Sequence, residues 1–277
     1  MASNPAFNRI EKDAQSGYAG FGGQPGYSSP SPMTAQPNMA EMSPQQLQDM
    51  YNGPTATPVD TRRVTMDDVI MKTLGLFAIV LVTAAFGWTV AKANPDVGMM
   101  LWIGGMIGTL VLGLVIAFKK TLSVPLILLY AVVEGLFMGA VSFYFNQRYP
   151  GIVGQAVLAT LSTFAGMFLA YKFGLIKVTA KFRRIMTMMI FGYAIFAVVN
   201  FIFAMVTNSA FGFGGSDGIG IAISLFAVGL ASFTLALDFD SIEQAIRSGA
   251  PQKYSWLLAH GLIVTLVWLY IEFLRLF

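Results

Sequence analysis

Apolar residues in this chain fall into seven long blocks separated by short polar breaks, and the first block starts near residue 65. About 20 consecutive apolar residues cross the hydrocarbon core of a bilayer. On that measure the pattern predicts membrane-spanning helices at about 70–90, 99–118, 122–145, 152–171, 185–206, 218–239 and 256–275. The breaks are punctuated as helix ends should be. Asn94-Pro95-Asp96 marks the first, Lys119-Lys120 the second and Tyr149-Pro150-Gly151 the third. Phe211 to Gly218 marks the fifth, and Ser248-Gly249-Ala250-Pro251 the sixth.

Composition supports the same picture. The chain is 56% hydrophobic and 11% charged, against about 25% charged in a soluble domain. A water-soluble fold could not cover so many apolar runs. The predicted class is an all-α membrane protein with seven transmembrane helices in contact with the lipid bilayer. There is no cysteine, which excludes disulfides, thiolate metal sites and cysteine catalysis.

Residues 1–62 differ. They are rich in Gly, Pro, Ser, Gln, Asn and Met and hold no long apolar run. Such a segment cannot build a core, so a disordered tail is expected, ahead of a membrane domain at 63–277. It lacks the apolar centre of a secretory signal peptide. Either it binds a partner through its Tyr and Pro residues, or it is a solvated extension.

Charge sets the orientation. With the amino terminus in the cytoplasm, the inner segments carry Arg62, Arg63, Lys72, Lys119, Lys120, Lys172, Lys177, Lys181, Arg183, Arg184, Arg247 and Lys253. The outer segments carry Lys92, Arg148 and Arg275. This is the positive-inside bias, and it alternates without exception, as seven spans require. The basic residues are topology signals, not a nucleic-acid patch. Gly104-x-x-x-Gly108 and Gly135-x-x-x-Gly139 are the spacings at which helices approach closely in lipid, and Gly212 to Gly220 adds further small residues.

Ionisable groups at membrane depth are costly and therefore functional candidates. Asp238 follows about 20 uncharged residues and is expected at, or just inside, the end of the sixth span. Asp240 lies about 200° around the helix from it, so the two acids face different surroundings. Asp238 shares a stripe with Ile242 and Ala245. It is either a functional acid or the partner of a loop base such as Arg247. His260, the only histidine, enters the seventh span one turn from its start. Its depth is expected to match that of Asp238, making either a coupled Asp–His pair or a backbone-bonded helix-end histidine. Glu134 lies mid-span, either in a proton or cation path or as a structural hydrogen-bonding carboxyl. Glu272 belongs near the outer face with Arg275 three residues on, an obvious ion pair.

Three pieces carry a family resemblance. The third span reads Tyr130-Ala131-Val132-Val133-Glu134-Gly135, with Gly139 four residues on. The sixth ends Asp238-Phe239-Asp240-Ser241-Ile242, and the chain closes Leu274-Arg275-Leu276-Phe277. In this order the pieces resemble the Bax inhibitor family over residues 65–277, including its bacterial YccA-like branch. The resemblance implies seven helices with the last one central, and a pH-sensitive calcium leak. It also implies a proton-sensing pair of aspartates. Asp238 matches the first. Glu272 or Thr265 matches the second, depending on which part of the last span is aligned.

Two functions follow from this. The first is a pH-sensitive cation (calcium) leak or transporter in the plasma (inner) membrane, with Asp238 as a transient calcium ligand through its hard oxygens and with Glu134, His260 and Glu272 as further path or pH-sensing residues. The second is a membrane regulator or scaffold that binds membrane proteins such as a protease. An enzyme is not expected: there is no His-Glu-x-x-His and no phosphate-binding loop with a following Lys. No cofactor is implied.

Overall fold

The structure, a computed structural model, describes residues 62–119, 121–207 and 218–277. The expected disordered tail, Lys120 and the break at 211–217 lie outside the described residues. Among the described residues there are seven helices, each long and apolar enough to cross a membrane. They are α1 (Met66–Ala93), α2 (Pro95–Phe118), α3 (Val124–Arg148) and α4 (Ile152–Lys172). Next come α5 (Ala180–Thr207), α6 (Gly218–Arg247) and α7 (Ser255–Leu276), the last entered through a short 3-10 turn, Gln252–Tyr254.

The helix ends are set by local chemistry. Thr65 caps α1, its hydroxyl accepting from the Asp68 N–H while the Asp68 carboxylate accepts from the Thr65 N–H. Both donors would otherwise be unpaired. Asn94 closes α1 and opens α2, its side chain accepting from the N–H groups of Asp96 and Val97. Pro95 then occupies the first turn, where its missing N–H costs nothing. Gly249, at φ +68°, turns the chain out of α6, a backbone that residues with a Cβ rarely adopt.

α7 is the central helix. It packs on α1, α3, α4 and α6, and its residues from Leu257 to Leu274 are mostly buried. The closest helix crossing is α1 on α3. A Cβ built on Gly139 would lie 2.1 Å from the Ala84 carbonyl oxygen, and one on Gly135 would lie 2.5 Å from that of Val80. Small residues at the crossing let the backbones touch, as lipid-embedded helices require. On α2 the close residues are Gly105, packed against Phe137 of α3, and Gly98, packed against Ala91 of α1; Gly104, half of the expected pair, meets nothing.

The α1 entry is fastened to the α6–α7 connection. The Val64 N–H donates to the Ala250 carbonyl at 2.8 Å and the Gln252 N–H to that of Arg62 at 2.7 Å, forming an Arg63–Pro251 bridge. The Gln252 side-chain amide donates to Asp68, and Lys72 donates to Ser255 beside the Trp256 ring. Arg62, the last residue of the expected tail, takes part in this fastening through its carbonyl.

α5 is peripheral. Among helices it packs on α6, and only its Met186 is buried. Its attachments are polar at two levels: Arg183 pairs with Asp240 of α6, and Tyr193 donates to Glu272 of α7.

Candidate functional site

The sixth helix does not end at Asp238. It continues to Arg247, nine residues or about 14 Å farther. Asp238 therefore sits within a continuous helix rather than at its end, contrary to expectation. The turns beyond it carry Asp240, Glu243 and Arg247, which are bonded to Arg183, to Tyr171 and to one another as an i,i+4 pair. These contacts attach the polar end of α6 to α5 and α4. Arg247 is engaged by Glu243 and leaves Asp238 to a different partner.

That partner is Thr265. Its hydroxyl donates to Asp238 Oδ2 at 2.6 Å, and both side chains are buried. Thr265 also reaches the Gly261 carbonyl at 3.2 Å, so the bond ties α6 to one turn of α7. Asp240 faces away toward α5, as its position around the helix requires, and also accepts from Gln244.

His260 is buried but is not the partner of Asp238. Its ring stands edge-on to Tyr130 of α3, with centroids 4.4 Å apart and an interplanar angle of 88°. One α-helical turn on from Tyr130, Glu134 is 4% exposed. The hydroxyls of Tyr130 and of Thr109 on α2 face its carboxyl, while its Oε2 is buried without a hydrogen-bond partner. Of the two readings of His260, the coupled Asp–His pair is not formed; the residues fall into two separate arrangements, Asp238–Thr265 and His260–Tyr130–Glu134. The reason is rotational. Thr265 lies five residues beyond His260, about 140° around α7, so the two side chains leave the helix in different directions.

Glu272 lies about 10 Å farther along α7 than Thr265. It accepts from the Trp268 indole at 3.1 Å and pairs with Arg275 at 3.3 Å. Tyr193 of α5 donates to Glu272 and accepts from Arg275. Of the two candidates for the second acid of the pair, Thr265 occupies the position facing Asp238 and Glu272 does not.

These groups share one space. A cavity of about 1020 Å³ is lined by Glu134, Asp238, His260, Thr265, Glu272 and Arg275, among others. Its wall on α7 runs from Leu257 to Arg275, about 27 Å by helical rise, close to the thickness of a hydrocarbon core. The helices around it follow the packing order α2, α3, α7, α6, α5. Among the described residues no three His, Asp or Glu side chains converge as a metal cage.

A family model described as Bax inhibitor 1 like matches residues 4–277. The chain belongs to that family. The match takes in most of the amino-terminal tail, which the motif resemblance left out. No curated protein matches the chain. Glu134 and Asp238 line one cavity although more than 100 residues separate them in the chain.

Several lining residues carried no mark in the sequence. Tyr130 was part of the motif, yet its contact with His260 depends on how α3 and α7 cross. Thr109 and Tyr193 are uncharged polar residues inside apolar runs. A hydroxyl on a span can be met by its own helix, as Thr109 donates to the Met106 carbonyl at 3.1 Å, so neither residue announces a partner by itself.

Proposed function

We propose that this protein conducts or transports a cation, with calcium the ion its oxygen ligands suit, and that protonation of Asp238 regulates the path. The observation that supports this most is the cavity. Three helices place Glu134, Asp238 and Glu272 on a single space that runs nearly the thickness of the bilayer. Buried acids in a membrane are retained at a cost and mark ion or proton routes. Carboxylate and hydroxyl oxygens are the ligands of hard cations. Asp238 with Thr265 offers one station, and Glu134, with one oxygen unpaired, offers another on a different wall. Conduction requires stations that bind weakly enough to release the ion, and single carboxylates meet that condition. Proton uptake by Asp238 removes the station's charge while the Thr265 contact keeps the side chain in place. In this reading the excess of Lys and Arg on alternate connections turns the Leu257 end of the cavity toward the cytoplasm, Asp238 and Thr265 stand about midway along it, and the plasma membrane is the proposed compartment.

The alternative is a regulator or scaffold without transport. The same Asp238–Thr265 bond supports it, since a bond between α6 and α7 is what a structural acid would make. Calcium flux through the purified protein in liposomes, measured across pH, separates the two. Flux that changes with pH supports the path. No flux at any pH, together with recovery of a stoichiometric membrane-protein partner, supports the scaffold.

A further inference from the structure

Between α4 and α5 the chain carries its densest run of positive charge. Lys172, Lys177, Lys181, Arg183 and Arg184 fall within a stretch, 172–184, that contains no acid. Arg183 is taken up by Asp240 of α6, whereas Lys172, Lys177, Lys181 and Arg184 are exposed. The acids nearest to the stretch have their own partners. Asp240 also accepts from Gln244, and Glu243 accepts from Tyr171 and Arg247. Topology accounts for the charge. It does not account for two large apolar side chains set among the cations, Phe173 at 72% exposure and Leu175 at 79%.

That exposure is built into a defined turn. Gly174, at φ +69°, ends α4: its N–H donates to the Tyr171 carbonyl at 3.0 Å, and the Leu175 N–H donates to that of Ala170 at 2.9 Å. In this type of helix ending the residue after the glycine commonly packs back on the helix. Leu175 instead is the most exposed large apolar side chain among the described residues. The other connections on this side differ. Leu122, between α2 and α3, is half-buried, and Ala250, Pro251 and Tyr254, between α6 and α7, are buried. Depth agrees from two directions. α4 has 21 residues, about 30 Å, which is the thickness of the hydrocarbon core. With Arg148 and Pro150-Gly151 ahead of α4 at one boundary, Lys172 and the connection stand at the other. Tyr171 and Arg183, on either side of the connection, bond Glu243 and Asp240, which sets the connection beside the polar end of α6.

We propose that the α4–α5 connection binds anionic phospholipids of the cytoplasmic leaflet, with their phosphates at Lys172, Lys177, Lys181 and Arg184 and with Phe173 and Leu175 among their acyl chains. A basic side chain at a membrane surface favours an anionic lipid about fivefold, and Arg184 adds a planar fork of donors suited to phosphate. Apolar side chains beside basic ones are the composition of a segment that lies in the interface. An acidic protein would meet the cations, but no protein is needed to cover Phe173 and Leu175, because at this depth the acyl chains are already adjacent. The inference does not rest on the cation reading. It concerns how the bundle is held in its lipid, and through Asp240 and Glu243 the bound lipid also holds the end of the helix that carries Asp238.

The test uses the full chain in liposomes. The protein has no cysteine, so Leu175→Cys labelled with bimane, an apolar fluorophore, reports alone. Its fluorescence is quenched with phosphatidylglycerol or phosphatidylcholine carrying brominated chains, each titrated into unbrominated phosphatidylcholine. The expected result is quenching by both lipids, with the anionic one effective at a mole fraction lower by about fivefold or more, the effect of one or more basic side chains at the surface. In 1 M salt, where charges are screened beyond about 3 Å, the preference is lost while quenching remains. Lys177→Gln with Lys181→Gln, both at exposed positions, reduces the preference at low salt and leaves Lys172, Arg183 and Arg184 to set the topology. No quenching by either lipid, equal quenching by the two at low salt, or a preference that either 1 M salt or the double substitution leaves unchanged overturns the proposal.

Discussion

The Thr265 hydroxyl donates to the Asp238 carboxylate at 2.6 Å across the α6–α7 interface. Where a second carboxylate would force the pair to share a proton, a hydroxyl lets Asp238 hold its bond whether or not it is charged. The ionisation of Asp238 is thereby separated from that of any neighbouring acid, since Glu272 is engaged by Arg275 and Tyr193 a turn and more away.

Thr265→Val keeps the shape and removes the donor. A buried acceptor left without its partner costs about 1–3 kcal/mol. The expected outcome is a lower midpoint of thermal unfolding in detergent, with Thr265→Ser, which keeps the hydroxyl, close to the parent. Equal stability of the Val and parent proteins contradicts the bond as drawn.

The α1–α3 seam predicts a larger effect from a smaller change. Gly139→Ala would set a Cβ 2.1 Å from the Ala84 carbonyl and 2.7 Å from the Trp88 nitrogen. Both are backbone atoms, so the helices must separate, at a cost of about 1–3 kcal/mol or more. Gly104→Ala, where the added carbon meets nothing, is the matched control. Unfolding in detergent should show the first destabilised and the second unchanged.

At the outer level, Glu272→Gln leaves Arg275 without its counter-charge. Removing one partner of a buried ion pair costs about 3–5 kcal/mol, whereas Tyr193→Phe removes a hydrogen bond worth about 0.5–1.5 kcal/mol. The acid substitution is therefore expected to lower thermal stability by more than the tyrosine substitution. The two effects should be non-additive in the double variant, because the residues share one network.

Much of the fold was legible because a bilayer leaves few alternatives. Once a run of about 20 apolar residues must be helical, Lys119 and Lys172 mark where α2 and α4 end. The candidate acids were legible for the same reason: Glu134 and Asp238 stand out against an uncharged background. What the chain did not show was partnership. His260 and Asp238 looked paired because depth can be counted along a helix, but rotation about the axis separates them. The last turns of α6 were missed because the span was counted only to where charges begin, although Glu243, Gln244, Ala245 and Arg247 are good helix formers and carry the helix on to contacts with Arg183 and Tyr171. The cavity that α2 and α5 line was not visible either, since an apolar face looks the same whether it meets a helix or a lipid.

The fastening of α1 to the α6–α7 connection can be tested by cross-linking. The chain contains no cysteine, so an introduced pair reports alone. Arg63 and Pro251 are bridge partners, and paired positions on adjacent strands lie about 4.5–5.5 Å apart, within disulfide range. Arg63→Cys with Pro251→Cys is expected to form a disulfide under mild oxidation in membranes, and Arg63→Cys with Ser123→Cys is not. Equal yields from both pairs would mean that the junction is not held.

The measurement closest to the central claim is calcium flux against pH in liposomes containing the purified protein, with Asp238→Asn run beside the parent. The account predicts flux that varies with pH in the parent, and flux in Asp238→Asn that is reduced and no longer varies with pH. Flux with the same magnitude and pH profile in both proteins would contradict it.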